Sequence, residues 1–149
     1  MSSRVKVFLD TSALFAGIWS REGGGRMVLK LGEARAIRLL VSPQVMHELE
    51  GALRRKAPQA LGALALILER SGVEITESPP KETIQDVLNL VDHLGDARIL
   101  AAGLTTGVDY FITLDKEHFL ENRVVMESTS IPIGTPGDFL AWFQKKLKS

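Results

Sequence analysis

Short apolar runs alternate with longer segments of helical periodicity along the chain. Val5–Leu9 and Ile37–Val41 have the length and content of buried strands, and so do the shorter runs 73–76, 110–113 and 131–133. A short apolar segment over 12–19 predicts a helix, which the run Glu22-Gly23-Gly24-Gly25 interrupts as a flexible loop. Met27, Leu29 and Leu31 fit a second short helix ending near Gly32. Ser42 as N-cap and Pro43 at the first helical position open a helix reaching about Lys56, and Pro58 forces a break before another over 60–70. After the Pro79-Pro80 loop, Ile84, Val87, Leu88, Val91 and Leu94 repeat at helical spacing until Gly95. A further helix is predicted from Asp96 to about Thr106, closed by Gly107. Pro136 opens a terminal helix holding Phe139, Leu140, Trp142 and Phe143. Strands alternating with helices from end to end predict a parallel sheet of about four to five strands with helices on both faces. No repeat or linker interrupts the pattern, so residues 1–149 are expected to form one α/β domain.

In such a sheet, ligands collect at the carboxyl ends of the strands, where loops and helix N-termini converge. Asp10 directly follows the first strand, and Asp115 lies just past the run ending at Thr113. Asp96 begins the helix that feeds this latter strand. On the helix from Pro43, Val45, Leu49 and Ala52 form the apolar face. Glu48 borders that face, whereas Glu50 points to solvent. Each acid also has a local use: Asp10 or Asp96 as an N-cap, Asp115 as a turn residue, Glu48 as a solvated edge position. Gathered at one edge, however, several carboxylates would repel one another, and burial would raise their pKa values unless a cation neutralised them. All-oxygen ligands suit Mg²⁺ or Mn²⁺ better than zinc. A metal held there can assist phosphodiester hydrolysis. His47, His93 and His118 show no paired spacing and read as ordinary surface or partly buried residues.

Composition narrows the partners. Eighteen basic residues balance 18 acidic ones, so no overall positive field recruits nucleic acid or an anionic membrane, and any such contact must be local. The absence of cysteine excludes a disulfide framework, a thiolate zinc site and a cysteine nucleophile. The most apolar stretch, 60–68, is too short to span a bilayer. Met1-Ser2-Ser3-Arg4 leads straight into the first strand without a signal-peptide pattern. A cytoplasmic protein without a membrane partner is expected. Arg54-Arg55-Lys56 and the lysines of the carboxyl end read as solvated clusters, and Gly23-Gly24-Gly25 lacks the Gly-Lys-Ser/Thr ending of a P-loop, so it reads as a mobile segment beside the site.

Four segments in order resemble the PIN domain. Val7-Phe8-Leu9-Asp10-Thr11-Ser12 looks like its opening, a hydrophobic strand ending in Asp before two small hydroxyl residues. Leu40-Val41-Ser42-Pro43-Gln44-Val45-Met46-His47-Glu48-Leu49 is similar to its second motif. Gly95-Asp96-Ala97-Arg98-Ile99-Leu100 matches the third, and Phe111-Ile112-Thr113-Leu114-Asp115-Lys116 the fourth. Ile133 to Leu140 resembles the closing strand and helix. The resemblance implies a Mg²⁺- or Mn²⁺-dependent endoribonuclease acting on single-stranded RNA, most like the VapC-type toxins, with a cognate antitoxin and a homodimer as partners. It makes Asp10, Glu48, Asp96 and Asp115 the catalytic and metal-binding acids, and Ser12 and Thr113 hydroxyl supports. Local backbone capping is an equally good use of those two hydroxyls. Many relatives carry a further acid where this chain has Gly95, a place that Asp92 or Glu117 would have to fill. Arg98 and Lys116, each within two residues of a site acid, are the candidate phosphate contacts. The alternatives are a PIN-fold binding module without catalysis and a housekeeping RNA-processing nuclease without an antitoxin. A phosphatase of the haloacid dehalogenase type is disfavoured, because it needs a second Asp where Ser12 stands.

Overall fold

The computed structural model describes residues 4–149; Met1, Ser2 and Ser3, part of the amino-terminal stretch read above for a leader, lie outside them. Five parallel strands, β1 (Val5–Leu9), β2 (Ile37–Val41), β3 (Glu74–Ile75), β4 (Tyr110–Ile112) and β5 (Ile133–Gly134), pair in the order β3-β2-β1-β4-β5. β1 is central. It pairs with β2 on one side (Val7 opposite Leu39) and β4 on the other (Val7 opposite Tyr110), and Val7, Phe8 and Leu9 are sealed from solvent. That burial on both faces explains why the strand reads as a near-continuous apolar run rather than an alternating one.

The chain steps outward from β1 to β3, then returns past β2 and β1 to add β4 and β5 on the far side. Strand order therefore reverses between β1 and β4. The connections that leave these two strands diverge, opening a crevice at their carboxyl ends. The helices that carry the chain around the sheet are α1 (Thr11–Trp19), α2 (Gly24–Glu33), α3 (Pro43–Lys56), α4 (Leu61–Arg70), α5 (Lys81–Leu88), α6 (Leu94–Thr106), α7 (Arg123–Ser128) and α8 (Pro136–Lys148).

Neighbouring residues of β4 divide the core. Phe111 stacks on Phe8 at 5.2 Å and faces Gly103 of α6, whereas Tyr110 packs against Phe139 and Trp142 of α8. Successive strand side chains point to opposite faces, so α6 and α8 cover opposite sides of the sheet. Among the described residues, no helix is long and apolar enough to cross a membrane.

Several boundaries differ from the sequence pattern. The periodic segment beginning at Ile84 is not one helix to Gly95: α5 ends at Leu88, and the chain re-enters a helix at Leu94 with His93 as N-cap. Asp96 is therefore in the first turn of α6 rather than at its cap. Gly24 and Gly25 belong to α2, not to a mobile loop. A Cβ on Gly25 would fall 3.0 Å from the Gly17 backbone nitrogen and one on Gly24 3.0 Å from Pro136 Cβ, so the two glycines serve the close approach of α2 to α1 and to α8. A five-residue helical turn, Lys116–Leu120, and the short helix α7 lie where no periodic signal marked them.

Candidate active site

Asp10 leaves the end of β1 at the crevice and is 4% exposed. One carboxylate oxygen accepts the Ala13 amide (2.9 Å) and the Ser12 hydroxyl (2.7 Å); the other accepts the hydroxyl of fully buried Thr113, across from β1 on the β4 connection. The residue is thus both the N-cap of α1 and a group held at the mouth of the crevice. Ser12 and Thr113 likewise serve two purposes. The Ser12 hydroxyl accepts the Leu114 amide (3.0 Å), and the Thr113 hydroxyl accepts the Asp115 amide (2.9 Å). Together they tie the β1 and β4 ends into one rigid unit.

Glu48 enters from α3, two turns after the Ser42 cap. Its two oxygens accept the Thr11 hydroxyl (2.9 Å) and the Gln44 side-chain amide (2.8 Å). Glu50, on the opposite flank, is about half exposed and lies 3.9 Å from Arg54. Asp115 caps the helical turn that follows, accepting the His118 amide at 3.0 Å. Asp96 projects from the first turn of α6, while His93 caps that helix by accepting the Asp96 amide at 3.2 Å.

These four acids come from four different elements and line one cavity of about 410 Å³. Among the described residues, none of them is paired with arginine or lysine. The electrostatics follow. Burial pushes Asp10 up to about 6, against the hydrogen bonds from Thr113, Ala13 and Ser12 that pull it down, and the Asp115 charge adds to the rise. Burial also raises Asp96; His118 and His93 oppose this, and the Asp115 and Glu48 charges reinforce it. Asp10 and Asp96 thus both feel the charge of neighbouring carboxylates.

The histidine reading needs correction. His118 is not an ordinary surface residue: its Nδ1 lies 2.9 Å from Asp115 Oδ2 and 3.2 Å from Asp96 Oδ2. The Asp115 hydrogen bond is the main reason its pKa rises. Asp96, Asp115 and His118 each offer a ligand atom within 4.8 Å of the others, a spacing that one cation can bridge. The Asp115-x-x-His118 spacing, on one turn of helix, was the available signal. Thr11 and Gln44, which orient Glu48, were also missed, as were Phe15 and Lys56 in the cavity wall.

Other expected residues stand apart. Arg98 is exposed and lines a separate cavity of about 290 Å³ with Gln44 and His47. Lys116 is exposed and opens the helical turn. Asp92 and Glu117 are exposed and absent from the acidic cavity wall. Gly95 has a use of its own, because a Cβ there would fall 2.8 Å from Glu48 Oε2. The glutamate occupies the space a larger residue would take.

The donor set fits a divalent cation. At bridging distance it consists of Asp96, Asp115 and the His118 imidazole, with no thiolate; Asp10, a buried carboxylate whose charge burial disfavours, and Glu48 line the same cavity outside that group of three.

Comparison with known proteins agrees with this architecture. A search of curated proteins by sequence found no match. Among solved structures, PAE2754 from Pyrobaculum aerophilum is 19% identical with a TM-score of 0.62, over 92% of this chain and 88% of that one. VapBC2 from Rickettsia felis, solved bound to a DNA fragment from its promoter, gives 16% and 0.65 over 87% and 97%. VapC20 from Mycobacterium tuberculosis, a sarcin-ricin loop cleaving toxin, gives 16% and 0.56 over 77% and 94%. At these identities the likeness is one of fold. The PIN domain family model matches residues 6–117, a span that contains all four acids, and the chain belongs to the PIN domain family.

Proposed function

We propose that this protein is a Mg²⁺- or Mn²⁺-dependent endoribonuclease that hydrolyses phosphodiester bonds in single-stranded RNA. The observation that carries the reading is the convergence of Asp10, Glu48, Asp96 and Asp115, from four elements and, among the described residues, with no arginine or lysine partner, on one open cavity at the strand-order reversal. Family membership supports a nuclease, and the toxin VapC20 shares the fold.

In this reading the four acids hold the cation, with His118 as a further ligand or as the group that fixes Asp96 and Asp115. A bound divalent ion would offset the negative charge that builds on a phosphate during hydrolysis. The chain supplies preorganisation. Ser12, Thr113 and the Ala13 amide fix Asp10, while Thr11 and Gln44 fix Glu48, so neither carboxylate must reorient when substrate enters. Arg98 and Lys116, outside the acidic cavity, are proposed contacts for phosphates of the flanking strand.

The same reading makes the protein the toxin of a toxin–antitoxin pair, acting as a homodimer in the cytoplasm. The fold it shares with VapBC2 and VapC20 supports the pairing. A small antitoxin that binds the protein and inhibits cleavage would separate this role from that of a housekeeping nuclease.

The test is cleavage of single-stranded RNA by purified protein with Mn²⁺. Wild type is expected to cut, and Asp96→Asn to lose activity with an unchanged circular dichroism spectrum. Full activity in both Asp96→Asn and Asp10→Asn would defeat the mechanism.

A further inference from the structure

Thr11, Phe15 and Trp19 recur every fourth residue on α1 and so form one stripe on its surface. Thr11 and Phe15 line the acidic cavity, and Trp19 continues the stripe outward, about 12 Å along the helix from Thr11. Its indole stacks on the Phe15 ring, with centroids 6.2 Å apart and planes 22° from parallel, yet the residue remains 54% exposed. One face is thus backed by a fixed ring while much of the indole meets water. Lys56, the last residue of α3 and a wall residue of the same cavity, places its ammonium 5.7 Å from the Phe15 centroid. Among the described residues, it pairs with no carboxylate.

A planar apolar surface and an unpaired cation, each set against the Phe15 ring in the wall of a site for phosphodiesters, match what single-stranded nucleic acid needs: a face for the base and a charge for the backbone. An apolar protein face fits less well, because Ser20, Arg21 and Glu22, which follow Trp19, are polar and exposed. We propose that Trp19, backed by Phe15, is the stacking platform for a nucleobase flanking the scissile phosphate, with Lys56 neutralising a phosphate of the same strand. This deepens the nuclease reading and rests on it for the identity of the substrate.

The chain has two tryptophans, so Trp142→Phe leaves Trp19 as the sole indole. In full-length protein carrying that change and Asp96→Asn, to keep the probe intact, an eight-nucleotide single-stranded RNA is expected to quench the fluorescence on titration. Trp19→Ala should weaken binding about 5- to 150-fold, the effect of one lost base stack, while Trp19→Phe retains most of the affinity. Lys56→Ala should reduce the slope of log affinity against log salt by about 0.7, one phosphate contact on a single strand.

Unquenched fluorescence, or equal affinity in Trp19→Ala, overturns the proposal. So does loss of self-association in Trp19→Ala with RNA affinity unchanged, which would make the patch an interface between copies of the chain. Quenching without any cleavage by wild type would count against the nuclease reading alone. Cleavage by wild type without quenching would count against the stacking platform alone.

Discussion

Asp10→Asn removes a negative charge from a position that water scarcely reaches, while keeping nearly the same shape. Burial lifts the folded-state pKa of Asp10 from the ordinary 3.8 to about 6. At about 1.36 kcal/mol for each tenfold change in acidity, holding this group ionised at neutral pH costs the fold about 3 kcal/mol. The sign follows from proton linkage. The folded state binds more protons than the unfolded chain between those two values, so stability falls as pH rises through that interval and stays low above it. Asparagine avoids the penalty but introduces a smaller one. Its amide must face the Thr113 hydroxyl, which already accepts the Asp115 amide and donates to Asp10. A misdirected hydrogen bond there costs about 1 kcal/mol, leaving the variant ahead by about 2 kcal/mol at pH 8. For a chain of this size that is a rise in Tm of roughly 4–8 °C.

Thermal melts in EDTA across pH 4 to 8 would measure this. The gap should narrow with acidification and close near pH 4 to 5, where Asp10 is protonated in the folded state. Mn²⁺ should raise the Tm of wild type and have much less effect on the variant. A variant that melts below wild type at pH 8, with the same pH dependence, would show that Asp10 is not a strained buried charge, and the case for a cation at this edge would weaken with it.

Three further substitutions examine other parts of the arrangement. Gly95→Ala forces Glu48 aside and crowds the His93 ring at 3.2 Å, both of them side chains rather than backbone, so stability should shift by less than about 1 kcal/mol while Mn²⁺-dependent cleavage falls at least about tenfold, by denaturant melts and initial rates. Thr113→Val strips a fully buried hydroxyl from both Asp10 and the Asp115 amide; about 1–3 kcal/mol of stability should be lost in urea unfolding, and an unchanged midpoint would contradict the hydrogen-bond scheme. Gly25→Val drives a branched side chain into the Gly17 backbone, and about 1–3 kcal/mol of destabilisation is expected from the same measurement.

The amino-acid order by itself determined the strand and helix alternation and the positions of the four acids relative to the elements. The reason is local: a strand segment buried on both faces is apolar, as in Val7-Phe8-Leu9, and Ser42-Pro43 marks a helix start. Only the tertiary structure decided what those acids meet. His118 lies 22 residues from Asp96 in sequence, and they become neighbours because α6 lies against the face of β4, Gly103 over Phe111, and the helical turn after β4 carries His118. The bond from Thr113 to Asp10 spans 103 residues and exists because β4 pairs with β1. Likewise, Gly24 and Gly25 read as loop until α2 is seen to approach Pro136 and Gly17, and Lys56 reads as a solvated helix end until Phe15 appears beneath it. Periodicity records which face of an element is buried, whereas contacts between distant elements depend on the direction in which the sheet is assembled, and no local pattern encodes that.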